Sequence, residues 1–292
     1  MQKIVPNIWC NGNADEMAEF YLAAFEDAHV VEHQRYPEEG LLDFQQPMAG
    51  QTLLIELSLR GFHIMLINAD DTFTPNPSIS LMVSNPSVEA TTKLYKHLSD
   101  GGFALMPLDS YDFNEHYAWV QDKFGVSWQL FSHTEPTDLP AIYPSLMFCG
   151  DAQNRAGEAI ERYTKLFSGR VTQKVTYGEI GQDANGVIEP ESVVFATFEL
   201  AGETIGAMDS AVKQPFSFDG GVALLVNAHG QEEIDHYFHG LTAVPEAERC
   251  GWLRDEFGVS WEIVPDNMGE LMAKPNAYEK LMGMGKIMIE EF

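Results

Sequence analysis

One run of twelve residues occurs twice in this chain, as Trp119-Val-Gln-Asp-Lys-Phe-Gly-Val-Ser-Trp128-Gln-Leu and as Trp252-Leu-Arg-Asp-Glu-Phe-Gly-Val-Ser-Trp261-Glu-Ile. The shared Phe-Gly-Val-Ser-Trp, preceded both times by Asp and one variable residue, exceeds coincidence. A long-period repeat decides architecture before any local pattern does, because each copy must fold into a similar unit. Earlier stretches repeat as well. Ile4-Val-Pro-Asn-Ile-Trp corresponds to Ile142-Tyr-Pro-Ser-Leu-Met, and Phe20-Tyr-Leu-Ala-Ala-Phe25 to Arg162-Tyr-Thr-Lys-Leu-Phe167. The separation between copies shortens late in the module because Met106 to Asn114 has no counterpart in the second copy. The expected organisation is a first module over 1–132, a linker over 133–140, a second module over 141–266 and a helical tail over 267–292. The linker His133-Thr-Glu-Pro-Thr-Asp-Leu-Pro140 has the prolines and charges of a boundary.

The length of 292 residues and the 45% hydrophobic content supply two full cores. Seventeen Lys and Arg against 44 Asp and Glu give a formal charge of −27, which repels phosphate backbones and anionic bilayers. Nucleic acid and membrane are therefore excluded as expected partners. Three scattered cysteines, Cys10, Cys149 and Cys250, make no disulfide framework, and the N-terminal sequence lacks a signal-peptide pattern. A reducing, cytoplasmic location is the expectation.

Within the first copy, Asn13-Ala-Asp-Glu16 has capping-box spacing, and Met17, Phe20, Tyr21, Ala24 and Phe25 follow at helical period. Lys3 to Cys10, Val30 to Tyr36, Thr52 to Leu59 and Phe62 to Asn68 read as strands, the last two joined at Arg60-Gly61. The same order then recurs. Ser78 to Ser84 is a strand, Val88, Thr91, Leu94, Tyr95 and Leu98 mark a helix, and further strands run to Phe131. Each module is thus two βαβββ units, and the predicted fold class is α+β.

The segments Asn68 to Ser80, Leu105-Met-Pro-Leu-Asp109, Trp119 to Leu130, Cys250-Gly-Trp-Leu and Lys280 to Met288 resemble PhnB-like proteins. These are often labelled 3-demethylubiquinone-9 3-methyltransferase-like and belong to the vicinal-oxygen-chelate superfamily of glyoxalases, bleomycin-resistance proteins and dioxygenases. The resemblance implies paired units curling into a cupped mixed sheet around a ligand. The methyltransferase label finds no support in a Gly-rich loop between strand and helix, and no cofactor is expected.

Metal-using relatives hold a divalent ion with His or Glu on the first, fifth and last strands of a module. Carried over, those positions are Asn7, Ser78 and Gln129 in the first copy and Ser145, Gly221 and Glu262 in the second. Related proteins also share sites between modules, so Asn7 with Gly221 and Glu262, and Ser145 with Ser78 and Gln129, are alternative sets. No set offers more than one strong ligand, and no conventional metal site is expected.

Strand alternation places Asn7, Trp9, His63, Met65, Ser78, Ser80, Trp119, Gln129 and Phe131 on shared faces. Facing into a cup, they make an apolar pocket with a few hydrogen-bonding groups. The alternative is that the large members fill a core. His63 and His116 are acid or base candidates by residue type but have no partner fixed by spacing. Cys10 and Cys149 end equivalent strands and read as small apolar residues. His229, His236 and His239 contain one helical i, i+3 pair without a further ligand, which suits a solvated face.

Two function classes emerge: a protein that binds a small molecule, and an enzyme acting on a small oxygenated or aromatic compound. The two copies are expected to pack as an internal pseudo-dimer, with the better pocket built by convergence of Asn7, Ser78 and Gln129. The sequence is also compatible with a further homodimer of whole chains.

Overall fold

The computed structural model describes residues 1–133, 139–182 and 184–292. Most of the linker, 134–138, lies outside the described residues. The first unit comprises β1 (Ile4–Cys10), α1 (Ala14–Ala24), β2 (His29–Arg35), β3 (Thr52–Leu59) and β4 (Phe62–Asn68). The second comprises β5 (Ile79–Asn85), α2 (Val88–Leu98), β6 (Phe103–Tyr111), β7 (Asn114–Gln121) and β8 (Ser127–Ser132). The third repeats the order as β9 (Ile142–Phe148), α3 (Ala156–Leu166), β10 (Arg170–Thr176), β11 (Val193–Leu200) and β12 (Glu203–Asp209). The fourth has β13 (Val222–Ala228), α4 (Gly230–Leu241), a short β14 (Trp252–Arg254) and β15 (Ser260–Pro265), followed by α5 (Met268–Met272) and α6 (Ala277–Met282). The residues missing from the second copy are those that build the end of β6 and its hairpin into β7, so the last unit is one strand short.

The units do not pair within their modules. One mixed sheet of seven strands runs β14-β15-β13-β1-β4-β3-β2, and one of eight runs β10-β11-β12-β9-β5-β8-β7-β6. The first unit therefore shares a sheet with the fourth, and the second with the third. The seams are antiparallel, β1 against β13 with Asn7 opposite Ala223, and β5 against β9 with Ser80 opposite Ser145. The reason is elementary. The first strand of each unit would otherwise present an unpaired edge, and pairing it with its counterpart in another unit removes that edge.

One face of each sheet packs on helices, and residues of all four units, including Ile8, Tyr21, Leu94, Trp128, Ile160, Phe198, Ile234 and Trp261, form one core. The repeated Asp-x-Phe-Gly-Val-Ser-Trp block belongs here. Asp122 accepts from Tyr21 Oη (2.8 Å), Trp128 Nε1 (2.9 Å) and the backbone N–H groups of Phe124 and Val126. Asp255 repeats this with Tyr163 Oη (2.6 Å), Trp261 Nε1 (2.8 Å), Phe257 and Val259. Each carboxylate thus ties a turn to a helix of another unit. The turn needs a left-handed residue, which Gly125 and Gly258 provide at φ +90°. Burial pushes both carboxyls up, and the four donors on each pull them back.

The capping box expected at Asn13 is not what starts α1. Asn13 makes no side-chain cap bond. The Ala14 N–H instead donates to Asn68 Oδ1 at the end of β4 (2.9 Å), and the equivalent Ala156 N–H donates to Asp209 Oδ1 (3.1 Å). A helix terminus buried against a neighbouring strand takes its acceptor from that strand. No helix among the described residues is long and apolar enough to cross a membrane.

Candidate functional site

The faces turned away from the helices are the two cups, and the sheet topology divides the expected pocket residues between them. Asn7, Trp9, His63 and Met65 stand in the seven-stranded cup; Ser78, Ser80, Trp119, Gln129 and Phe131 belong to the eight-stranded one. The expected convergence of Asn7, Ser78 and Gln129 therefore does not occur. Asn7 meets Glu262 instead, and Ser78 and Gln129 share their sheet with Ser145, as the crossed sets require.

In the seven-stranded cup, Asn7 Nδ2 donates to Glu262 Oε2 at 2.7 Å, while Asn7 Oδ1 is buried without a partner. Burial raises the Glu262 carboxyl to about 7, and hydrogen bonds from Asn7 and the Trp252 side chain work against that rise. The third position of this set is closed. A Cβ on Gly221 would lie 2.4 Å from the Thr74 carbonyl oxygen, so backbone of the loop between β4 and β5 fills the place where a ligand side chain would stand. Trp9 packs edge-on to Phe73 and Trp252, with centroids 5.2 and 5.9 Å away. His63 has a partner that spacing does not reveal: its Nδ1 lies 2.5 Å from Glu56 Oε1. The hairpin register pairing Ser58 with His63 and Glu56 with Met65 brings the two together, and the Arg60-Gly61 turn is the signal from which that register can be read.

The C-terminal segment covers this cup. Leu271, Ala277, Met284, Ile287 and Phe292 pack on Val5, Leu225 and Val264, with Met65 at the margin. Its short helices are legible in the sequence after Pro265, but their role as the cover of a cup is not.

The eight-stranded cup is built differently. Tyr117 Oη donates to Gln129 Oε1 (2.6 Å), and Trp119 Nε1 donates to Ser127 Oγ (2.7 Å), which also meets Ser80 Oγ (2.9 Å). Ser145 Oγ is buried and has no partner. It sits over Gly206, where a Cβ would come within 2.8 Å of it. Burial holds the phenols of Tyr117 and Tyr143 far above their ordinary range. The segment from Met106 to Asn114 supplies the rim, with Tyr111 stacked on Phe113 and Phe113 edge-on to Tyr117 at 5.0 Å. Strand alternation from Trp119 and Gln129 is the signal for Tyr117 and Ser127.

The remaining candidates make contacts outside the two cups or are buried within the core. His116 Nε2 meets Thr92 Oγ1 (3.3 Å), His236 Nε2 the Leu166 carbonyl (3.0 Å), and His229 Nδ1 pairs with Asp266 (2.9 Å). Cys10 is fully buried, and burial pushes its thiol well up. Burial likewise raises Cys149 to about 11. A surface groove of about 500 Å³ beside Arg60 and Lys93 lies outside both cups, its cations already held by Asn85 and Glu26.

The sequence pattern of the family described as 3-demethylubiquinone-9 3-methyltransferase matches residues 2–131 and again 140–264. The chain belongs to that family. Among solved structures, the PhnB protein from Bacillus cereus is 32% identical, spanning 45% of this chain and 100% of its own, with a TM-score of 0.41. Glyoxalase I from Zea mays is 14% identical over 92% of this chain and 94% of its own, with a TM-score of 0.58, and so shares the two-module fold. No curated protein matches the chain.

The fold raises the question of a divalent metal, and the donor sets answer it poorly. One consists of an amide, a carboxyl of raised pKa and a glycine blocked by Thr74; the other consists of two hydroxyls and an amide. Neutral groups of this kind are weak ligands for such ions. Among the described residues no three His, Cys, Asp or Glu side chains are grouped to hold one.

Proposed function

We propose that this chain is a binding protein for a small, largely apolar molecule with hydrogen-bonding groups, held in the eight-stranded cup without a metal. The observation that carries the reading is the buried, unpartnered Ser145 Oγ over Gly206, on the same cup face as the Tyr117–Gln129 pair. A buried hydroxyl without a partner is costly, and a ligand polar group would satisfy it. The aromatic surfaces of Trp119, Tyr117 and Tyr143 supply the apolar contact such sites use. Three free thiols accord with a reducing, cytoplasmic setting.

The test is an unbiased metabolite screen by native mass spectrometry, followed by titration of the hit by isothermal calorimetry. Gln129→Leu and Ser145→Ala are each expected to weaken the ligand about tenfold, the size of one lost hydrogen bond. An unchanged affinity in both variants refutes the location. Purified protein is further expected to hold no stoichiometric divalent metal. About one zinc, nickel or iron per chain by elemental analysis, lost on Glu262→Gln, would overturn that.

A further inference from the structure

The two cups differ in the length of chain beyond their last strand. β8 ends at Ser132 and β9 begins at Ile142, whereas the chain runs on from Pro265 to Phe292 after β15. That extension lies over the buried Asn7–Glu262 pair. Its hold on the sheet is of two kinds. Backbone bonds join Cys250 N to the Met284 carbonyl (2.8 Å) and Gly251 N to the Gly285 carbonyl (2.7 Å). On the flank, Gln231 on α4 donates to the Ile287 carbonyl (3.0 Å) and accepts from Ile289 N (2.9 Å), and Lys286 pairs with Asp235. The apolar contribution comes from Met284, Ile287 and Phe292 on Val5, Leu225 and Val264. The helices of the extension have five and six residues, too short to persist on their own. The segment is therefore ordered by the surface it covers.

The fit is good for apolar atoms and incomplete for polar ones. The covering side chains Leu271, Ala277, Met284, Ile287 and Phe292 carry no hydrogen-bond donor, and Asn7 Oδ1 remains buried and unpartnered. An occupant evolved only to seal a core would leave no such acceptor, since each costs on the order of 1–3 kcal/mol. We propose that the C-terminal segment is a tethered occupant of a second binding site, whose free ligand is an apolar small molecule carrying one N–H or O–H donor directed at Asn7 Oδ1. Displacing the segment exposes Val5, Leu225 and Val264 as the apolar floor, with Asn7 and Glu262 as its polar point. This site is independent of the eight-stranded cup, and neither assignment requires the other.

Two full-length variants open the segment to different degrees. Ile287→Asp places a charge at a fully buried contact, and Lys286→Glu sets two like charges against each other on the flank. Hydrogen exchange at Cys250 and Gly251 is expected to accelerate about a hundredfold in Ile287→Asp and about tenfold in Lys286→Glu, with β1 and β13 amides still protected. Indole, an apolar probe with one N–H, is expected to bind the Ile287→Asp protein at one additional site that disappears when Asn7→Leu is added. The parent protein lacks that site. If the amides of β1 and β13 exchange as fast as Cys250 and Gly251 in both variants, the segment is part of the global core and the proposal fails. It fails equally if indole binds parent and opened protein alike, or if binding survives Asn7→Leu. Titrating the ligand of the eight-stranded cup in the same variants separates the two sites, because its affinity is expected to be unchanged.

Discussion

Trp128→Ala and Trp261→Ala are each expected to lower the unfolding free energy by about 3–5 kcal/mol, the range for removing a large aromatic from a packed core. Both indoles are completely buried. Trp128 packs between Tyr21 and Phe25, with centroids 5.2 and 5.7 Å away, and Trp261 between Tyr163 and Phe167 at 5.3 and 5.6 Å. The alanine leaves a cavity and also strips one donor from the carboxylate of Asp122 or Asp255, so the cost falls at the upper end of the range. Chemical denaturation at one temperature measures it. Because each Trp joins a turn to a helix of another unit through the same repeated run, the two losses are expected to be similar. Unfolding midpoints within error of the parent for both proteins would remove the clamp from the account.

The second large effect is a pH dependence that depends on one carboxyl. Burial raises Glu262 from the ordinary 4.5 to about 7. A folded-state value above the unfolded one means that the native protein holds the proton more tightly. The associated stability is therefore fully present below the unfolded value and is lost as pH rises through about 7. Between about pH 5.5 and about pH 8.5 the loss is on the order of 2 kcal/mol, most of the accessible shift at one proton. Glu262→Gln, a neutral isostere that can keep the bond from Asn7, is expected to abolish this component and to be more stable than the parent at about pH 8.5. The informative quantity is the difference in slope between the two proteins, since the other carboxylates contribute equally to both. Equal slopes would mean that Glu262 is ionised and solvated throughout.

Much of the architecture was legible in the residues themselves. The duplicated Asp-x-Phe-Gly-Val-Ser-Trp run announced two copies, and alternation with helical period located most of the strands and helices, because both signals are local and depend only on which side chains must leave water. Strand alternation also sets Trp128, as the neighbour of Gln129, on the opposite face of the sheet. The absence of Met106 to Asn114 from the second copy translated directly into the missing strand of the fourth unit. What the residues did not contain was the choice of partner for each unit. Every first strand carries the same kind of unpaired edge, so β1 is as competent to join the second unit as the fourth, and only the packing of the whole chain selects β13. That choice separated Asn7 from Ser78 and Gln129, brought it to Glu262, and turned one expected pocket into two half-sets on different sheets. The cover formed by the C-terminal segment shares that origin, since it packs on Val5 of the first unit and on Leu225 and Val264 of the fourth; the cap on α1 from Asn68 and the His63–Glu56 contact lie within the first unit and follow from how its own helix and hairpin pack. Sequence alone determined the units and the face each side chain presents, because these depend on period and burial; tertiary structure alone decided which faces meet, because near-equivalent edges are distinguished only by the contacts of the complete fold.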